Sequence, residues 1–154
     1  ESERLPLSAI STPTGITLAY LTLEESNNDR TVTYFTSTSK DSGRTWSKGF
    51  PIAKIDKDND DGEIFQLTSN GSQLIANYVD ITMPKGTFSF EAKWLASDNN
   101  GQTWTDLPEA DTKSLVRTAS FSPSGRRAYI AEVIPGTKEE PESFQVRELV
   151  SPSK

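Results

Sequence analysis

At 154 residues with a net charge of −6, the chain is of single-domain length, and its acidity argues against the phosphate backbone of a nucleic acid as partner. It contains no cysteine and no histidine, which excludes disulfides, thiol nucleophiles, histidine triads and histidine-ligated zinc. No run of about 18 apolar residues is present, so no helix is expected to span a membrane.

The chain reads as a succession of short strands. Leu7–Ser11 leads into a turn ending at Gly15, and Ile16–Leu23 follows as an apolar strand. Thr31–Thr38 alternates Val32, Tyr34 and Thr36 with polar neighbours, the period-two pattern of a half-buried strand. It ends in the loop Ser39-Lys40-Asp41-Ser42-Gly43-Arg44-Thr45-Trp46, and Thr45–Ile52 is expected to leave that loop as a fourth strand. An acidic connector, Asp56-Lys57-Asp58-Asn59-Asp60-Asp61-Gly62-Glu63, joins a second unit. There Leu67–Val79 repeats the turn and apolar strand, Phe88, Phe90, Ala92 and Trp94 alternate, and Ser97-Asp98-Asn99-Asn100-Gly101-Gln102-Thr103-Trp104 repeats the loop. A third unit opens with Leu115–Ser120, repeats the turn and strand over Phe121–Val133, and continues as Glu142–Val150, where Phe144 and Val146 begin the same alternation. No segment carries the 3.6-residue period of a helix.

The repetition is regular. Turn glycines at 15, 71 and 125 lie 56 and 54 residues apart, and Trp46 and Trp104 lie 58 apart. Both loops read S-x-D/N-x-G-x-T-W, a pattern suited to a turn between two strands. Asp41 or Asn99, two residues before the glycine, can accept hydrogen bonds from the turn's own N–H groups. Gly43 and Gly101 supply a positive φ that side chains resist. Thr45-Trp46 and Thr103-Trp104 then begin the next strand, with each indole expected to fold over apolar neighbours. Trp94 is expected in the core. Tyr20, Tyr78 and Tyr129 recur in corresponding strands, which favours packing between units.

These loops resemble the Asp-box of sialidase-like β-propellers, and the resemblance covers nearly the whole chain. It implies an all-β fold of antiparallel four-stranded blades in a single segment, 1–154: blade 1 over 7–56, blade 2 over 64–113 and an incomplete blade 3 over 115–154. In that family the box sits on the rim of a blade, away from the central binding face. The resemblance therefore makes Ser39, Asp41, Gly43, Thr45, Trp46, Ser97, Asn99, Gly101, Thr103 and Trp104 structural, and Asp41 neither catalytic nor a metal ligand. Ser153-Lys154 matches the opening of the first box, so the sequence stops where a third would begin. About three blades leave the ring incomplete, since propellers need roughly 4–8. The expectation is a section of a longer propeller or, alternatively, copies that join as a homo-oligomer.

Other residues could carry chemistry. Asp56, Asp58 and Asp60 alternate in a way that could present oxygen ligands to calcium. The loop departs from an EF-hand, because Gly62 falls one place late and the twelfth position is Leu67; a solvated connector is the other reading. Arg4-Leu5-Pro6 resembles the sialidase motif whose arginine holds a substrate carboxylate, a task suited to a bidentate guanidinium. Asp29 would stand near that family's acid/base aspartate. However, Glu3 replaces an aromatic residue, the gap to Gly15 is one residue longer, and no nucleophilic Tyr–Glu pair can be placed; a surface role for Arg4 is favoured. Asn70-Gly71-Ser72 fits a glycosylation sequon that its turn also explains. The leading expectation is a non-catalytic binding module, extracellular or periplasmic, for a glycan or protein ligand. It requires no cofactor, with calcium as the one candidate. The alternatives are part of a sialidase-like glycoside hydrolase, and a structural module that assembles through open strand edges.

Overall fold

A computed structural model describes residues 3–26, 29–57, 64–71, 73–82, 89–107, 117–122, 124–134 and 143–149. The described residues form strands and turns with no helix. Strands β1 (Glu3–Thr12), β2 (Gly15–Ser26), β3 (Asp29–Ser39) and β4 (Phe50–Lys57) form one antiparallel sheet in chain order. Strands β5 (Ile64–Ser69), β6 (Leu74–Thr82), β7 (Ser89–Ser97) and β8 (Thr105–Asp106) form a second sheet in the same way. Strands β9 (Arg117–Phe121), β10 (Ala128–Ile134) and β11 (Ser143–Leu149) form a third. Each sheet is a meander, as short connections between antiparallel neighbours dictate. The sheets are not closed into a ring.

Alternation assigns the faces. In the first sheet Thr17, Ala19, Val32, Tyr34 and Thr36 are buried while their neighbours are less so. That face packs on Leu67, Leu74, Ala76 and Leu95 of the second sheet. Tyr34, fully buried, is clasped between two rings of the second sheet, with centroids 5.3 Å from Phe65 and 5.4 Å from Tyr78. The opposite face of the second sheet carries Ile75 and Trp94, which pack on Ala128, Ile130 and Leu149 of the third. The second sheet is therefore buried on both faces, which explains the unbroken burial of Leu74, Ile75, Ala76 and Asn77. Each large apolar side chain so buried stabilises the fold by about 1.5–3 kcal/mol.

The first strands of the three sheets lie together, β5 running within 8 Å (Cα to Cα) of both β1 and β9. The first turns form a row. A side chain at Gly71, φ +96°, would meet Pro13 at 3.1 Å, and Asn70 Nδ2 donates to the Gly125 carbonyl at 2.7 Å.

Some boundaries differ from the sequence expectation. β1 begins at Glu3, not Leu7, and β4 begins at Phe50, not Thr45. Residues 45–49 stay in the loop because Ser47 is held there. Its N–H donates to the Thr38 carbonyl at 2.9 Å, and its hydroxyl accepts from the Thr38 N–H at 3.0 Å. β9 extends to Phe121, and β11 covers Ser143–Leu149 within the expected 142–150. The three tyrosines do not share one role. Tyr78 packs between sheets, Tyr20 stacks on Phe35 of its own sheet at 5.4 Å, and Tyr129 points away from the second sheet. Phe88 lies outside the described residues, as does the side chain of Phe90.

Candidate functional site

The first S-x-D-x-G-x-T-W loop is built around two side chains. The Ser39 hydroxyl donates to Asp41 Oδ1 at 2.8 Å and accepts from the Gly43 N–H at 2.8 Å. Asp41 Oδ1 also accepts from the Thr45 N–H at 2.8 Å, and Oδ2 from the Thr45 hydroxyl at 2.6 Å. Those bonds, the Thr45 hydroxyl foremost, then the Thr45 N–H and the Ser39 hydroxyl, pull the carboxyl pKa from 3.8 to about 2. Ser42 and Gly43 both take positive φ, 60° and 88°. Trp46 Nε1 closes the loop on the Gly43 carbonyl at 3.1 Å.

The second loop repeats the geometry with one polarity reversed. The Ser97 hydroxyl donates to Asn99 Oδ1 at 3.0 Å and accepts from the Gly101 N–H at 2.9 Å. Asn99 Oδ1 accepts from the Thr103 N–H at 2.9 Å, as Asp41 does in the first loop. Asn99 Nδ2 instead donates to Thr103 Oγ1, at 2.8 Å, where Asp41 accepts. Thr45 and Thr103 serve both loops because a hydroxyl donates or accepts as required. Gly101, φ +80°, leaves room for Thr36, whose hydroxyl reaches the Gly101 carbonyl at 2.7 Å and fastens this loop to the first sheet. The ten loop residues singled out in the sequence take part in the hydrogen bonds or positive-φ turns of the two loops, and Thr45 and Trp46 also line a cleft.

The two tryptophans part company. Trp104 is half-buried against the core between the first two sheets. Trp46 is 42% exposed, so its indole is less covered than that of Trp104. Gly101 of the second loop lies against Thr36 of the first sheet, whereas among the described residues Gly43 of the first loop is approached by Trp46 itself. Trp46 lines a cleft of about 450 Å³ together with Thr14, Thr38, Lys40, Phe50, Asn100 and Gln102, among others. An aromatic face surrounded by hydroxyls, amides and one ammonium group suits the alternating apolar and polar surface of a sugar.

Comparisons of the chain with protein-family models, with curated proteins and with solved structures return no match.

The remaining sequence candidates are not brought together. The Arg4 guanidinium lies 5.9 Å from the Tyr20 ring centroid, on the face turned away from the second sheet. Asp29 opens β3 opposite Ser26, and its side chain lies outside the described residues. Arg4 pairs with Thr22, so about 13 Å of strand separates their pairing positions at roughly 3.3 Å per residue. Asp56 pairs with Thr31 at the end of β4 through its backbone; its side chain, and Asp58 and Asp60 entirely, lie outside the described residues. No group of three potential metal ligands occurs among the described residues. The Asn70 amide of the sequon is engaged with the neighbouring turn.

One arrangement was not anticipated. Gln66, Asn77 and Trp94 are register partners across β5, β6 and β7, so their side chains form a row on one face. Asn77 is 2% exposed and Trp94 3%. Gln66 Oε1, both polar atoms of the Asn77 amide and Trp94 Nε1 are buried without a hydrogen-bond partner. The signal was an asparagine inside the apolar run Leu74–Val79, where a polar side chain needs a reason.

Proposed function

We propose that the chain is a section of an Asp-box β-propeller that serves as a non-catalytic binding module outside the cytoplasm, and that it takes up a glycan in the cleft beside Trp46. The observation that carries this reading is the exposed indole of Trp46 on a cleft of about 450 Å³, beside the amides of Asn100 and Gln102 and the hydroxyls of Thr14 and Thr38. Three meander sheets with their first strands adjacent, and two loops of one geometry, support the propeller part of the reading. No cofactor is required. Binding is tested by a glycan array, followed by titration of Trp46 fluorescence with the glycans retained. Trp46→Ala is expected to weaken binding at least tenfold while the chain stays folded by circular dichroism. Binding that survives this substitution removes the cleft from consideration. Turnover of a fluorogenic sialoside would restore the hydrolase alternative.

A second reading, assembly through an open edge, is favoured by β11. It is the outer strand of the third sheet among the described residues, and it exposes Phe144 at 81% and Val146 at 66%. Unpaired edges with apolar side chains recruit further strands. Light scattering on a sizing column tests this: a defined dimer supports joining of copies, and a monomer at high concentration argues against it.

A further inference from the structure

The row Gln66–Asn77–Trp94 floors a second cavity, of about 240 Å³, separate from the cleft beside Trp46. All three sheets contribute to it. Leu7 and Ser8 come from β1, Phe65 to Thr68 from β5, Ile75 and Asn77 from β6, Trp94 from β7, and Thr118 and Ala119 from β9. Leu7 and Thr118 are exposed, so the mouth lies at the first strands, while Asn77 and Trp94 form the buried end.

The residues of the floor carry two donors, Asn77 Nδ2 and Trp94 Nε1, and two acceptors, Asn77 Oδ1 and Gln66 Oε1, all enclosed and without a hydrogen-bond partner. Leaving such groups buried and unpaired is costly. Four of them along one register row point to an occupant. Among the described residues no charged side chain lines the cavity, and Phe65, Leu7, Ile75 and Ala119 give it apolar walls. A hydroxyl group both donates and accepts, so adjacent hydroxyls match alternating amide and indole groups, while a carboxylate or phosphate would find acceptors it cannot satisfy. The volume suits one small ring.

We propose that this cavity is a binding site for a small neutral polyol, a single uncharged sugar residue or a cyclitol, held by Asn77, Trp94 Nε1 and Gln66. The proposal is independent of glycan binding beside Trp46. It is tested on the whole 154-residue chain labelled with ¹⁵N, titrated with a panel of neutral monosaccharides and with myo-inositol. The chain has three tryptophans, so three indole N–H signals are assigned by single Trp→Phe substitutions. The expected result is a saturable shift of the Trp94 indole signal with at least one of these compounds. Asn77→Leu is expected to weaken that binding at least tenfold, and Gln66→Met to weaken it severalfold. Trp46→Ala should leave it unchanged. Trp94→Phe removes the donor together with the five-membered ring but keeps an apolar aromatic at the site; if Asn77→Leu fails to fold, loss of the saturable backbone amide shifts of β5–β7 in Trp94→Phe carries the same inference. Shifts confined to the Trp46 indole would place the sugar in the other cleft and overturn the proposal. So would a Trp94 signal that moves with none of the compounds and shows cross-relaxation to water, which would mean that ordered water alone fills the cavity.

Discussion

Asp41 and Asn99 do one job with different acid–base properties. Folding lowers the Asp41 pKa from 3.8 to about 2, chiefly through the Thr45 hydroxyl, so the unfolded chain takes up the proton first as the solution is acidified. Its contribution to stability is therefore complete above about pH 4 and is lost as pH falls through about 2. Asp41→Asn should copy the Asn99 geometry, with the amide donating to Thr45, and remain folded at neutral pH. The thermal midpoint of the wild type should fall more steeply than that of Asp41→Asn between pH 4 and pH 2. Parallel curves would mean that the carboxylate's hydrogen bonds do not matter to stability. Thr36 offers a second test at this scale. Thr36→Val keeps the shape but strips the buried Gly101 carbonyl of its donor, and urea unfolding should show a loss of about 1–3 kcal/mol. The turn geometry of Asp41 and Gly43 could be read from sequence because each acts within the turn itself, Asp41 as acceptor from the Thr45 N–H and Gly43 through its positive φ. The Thr36–Gly101 bond could not, because its partners are 65 residues apart and neither local pattern points to the other.

Among the elements, the strands most legible in the sequence were those with one buried face. Alternation in β3 located Val32, Tyr34 and Thr36 correctly, and all three are buried. The end of the first loop was misjudged, since Thr45 and Trp46 have strand-like side chains but Ser47 pins the backbone to Thr38. β6 hid the cavity floor for a different reason. A strand buried on both faces has no alternation, so Asn77 read as one polar residue in an apolar run rather than as one of three aligned side chains. β11 carries the prediction that belongs at this scale. Val146→Lys places a charge on the exposed edge strand, where it should not disturb the third sheet. Light scattering should show any self-association reduced, with unchanged circular dichroism. Self-association that persists would move the contact elsewhere.

For the molecule as a whole, cohesion depends on what crosses from sheet to sheet. Tyr34, between Phe65 and Tyr78, is the largest fully buried side chain among the described residues, and it joins the first sheet to the second. Tyr34→Ala should cost about 3–5 kcal/mol in urea unfolding, the range for removing a buried ring. Its removal should also expose Tyr78 and Phe65 to solvent, which near-ultraviolet circular dichroism can follow. A cost below 1 kcal/mol would mean that the sheets do not depend on one another at this seam. The third sheet depends on the second through Ile75 and Trp94, and the paired turns Asn70 and Gly125 reinforce that contact. The sheet order was legible because every connection is short. The stacking of the sheets was not, because it rests on rings and amides that meet only after the strands have formed.

The meander order has a mechanical consequence. Among the described residues β1 and β11 each hydrogen-bond to one strand, β2 and β10, in antiparallel register. A force applied at Glu3 or at Leu149 meets the open end of a hairpin, so the ladder parts one rung at a time instead of shearing along its whole length. Under tension the molecule should yield in stages from its outer strands inward. The second sheet, clasped on both faces, should be the last to give way, and an optical trap would record its opening as the final and largest step.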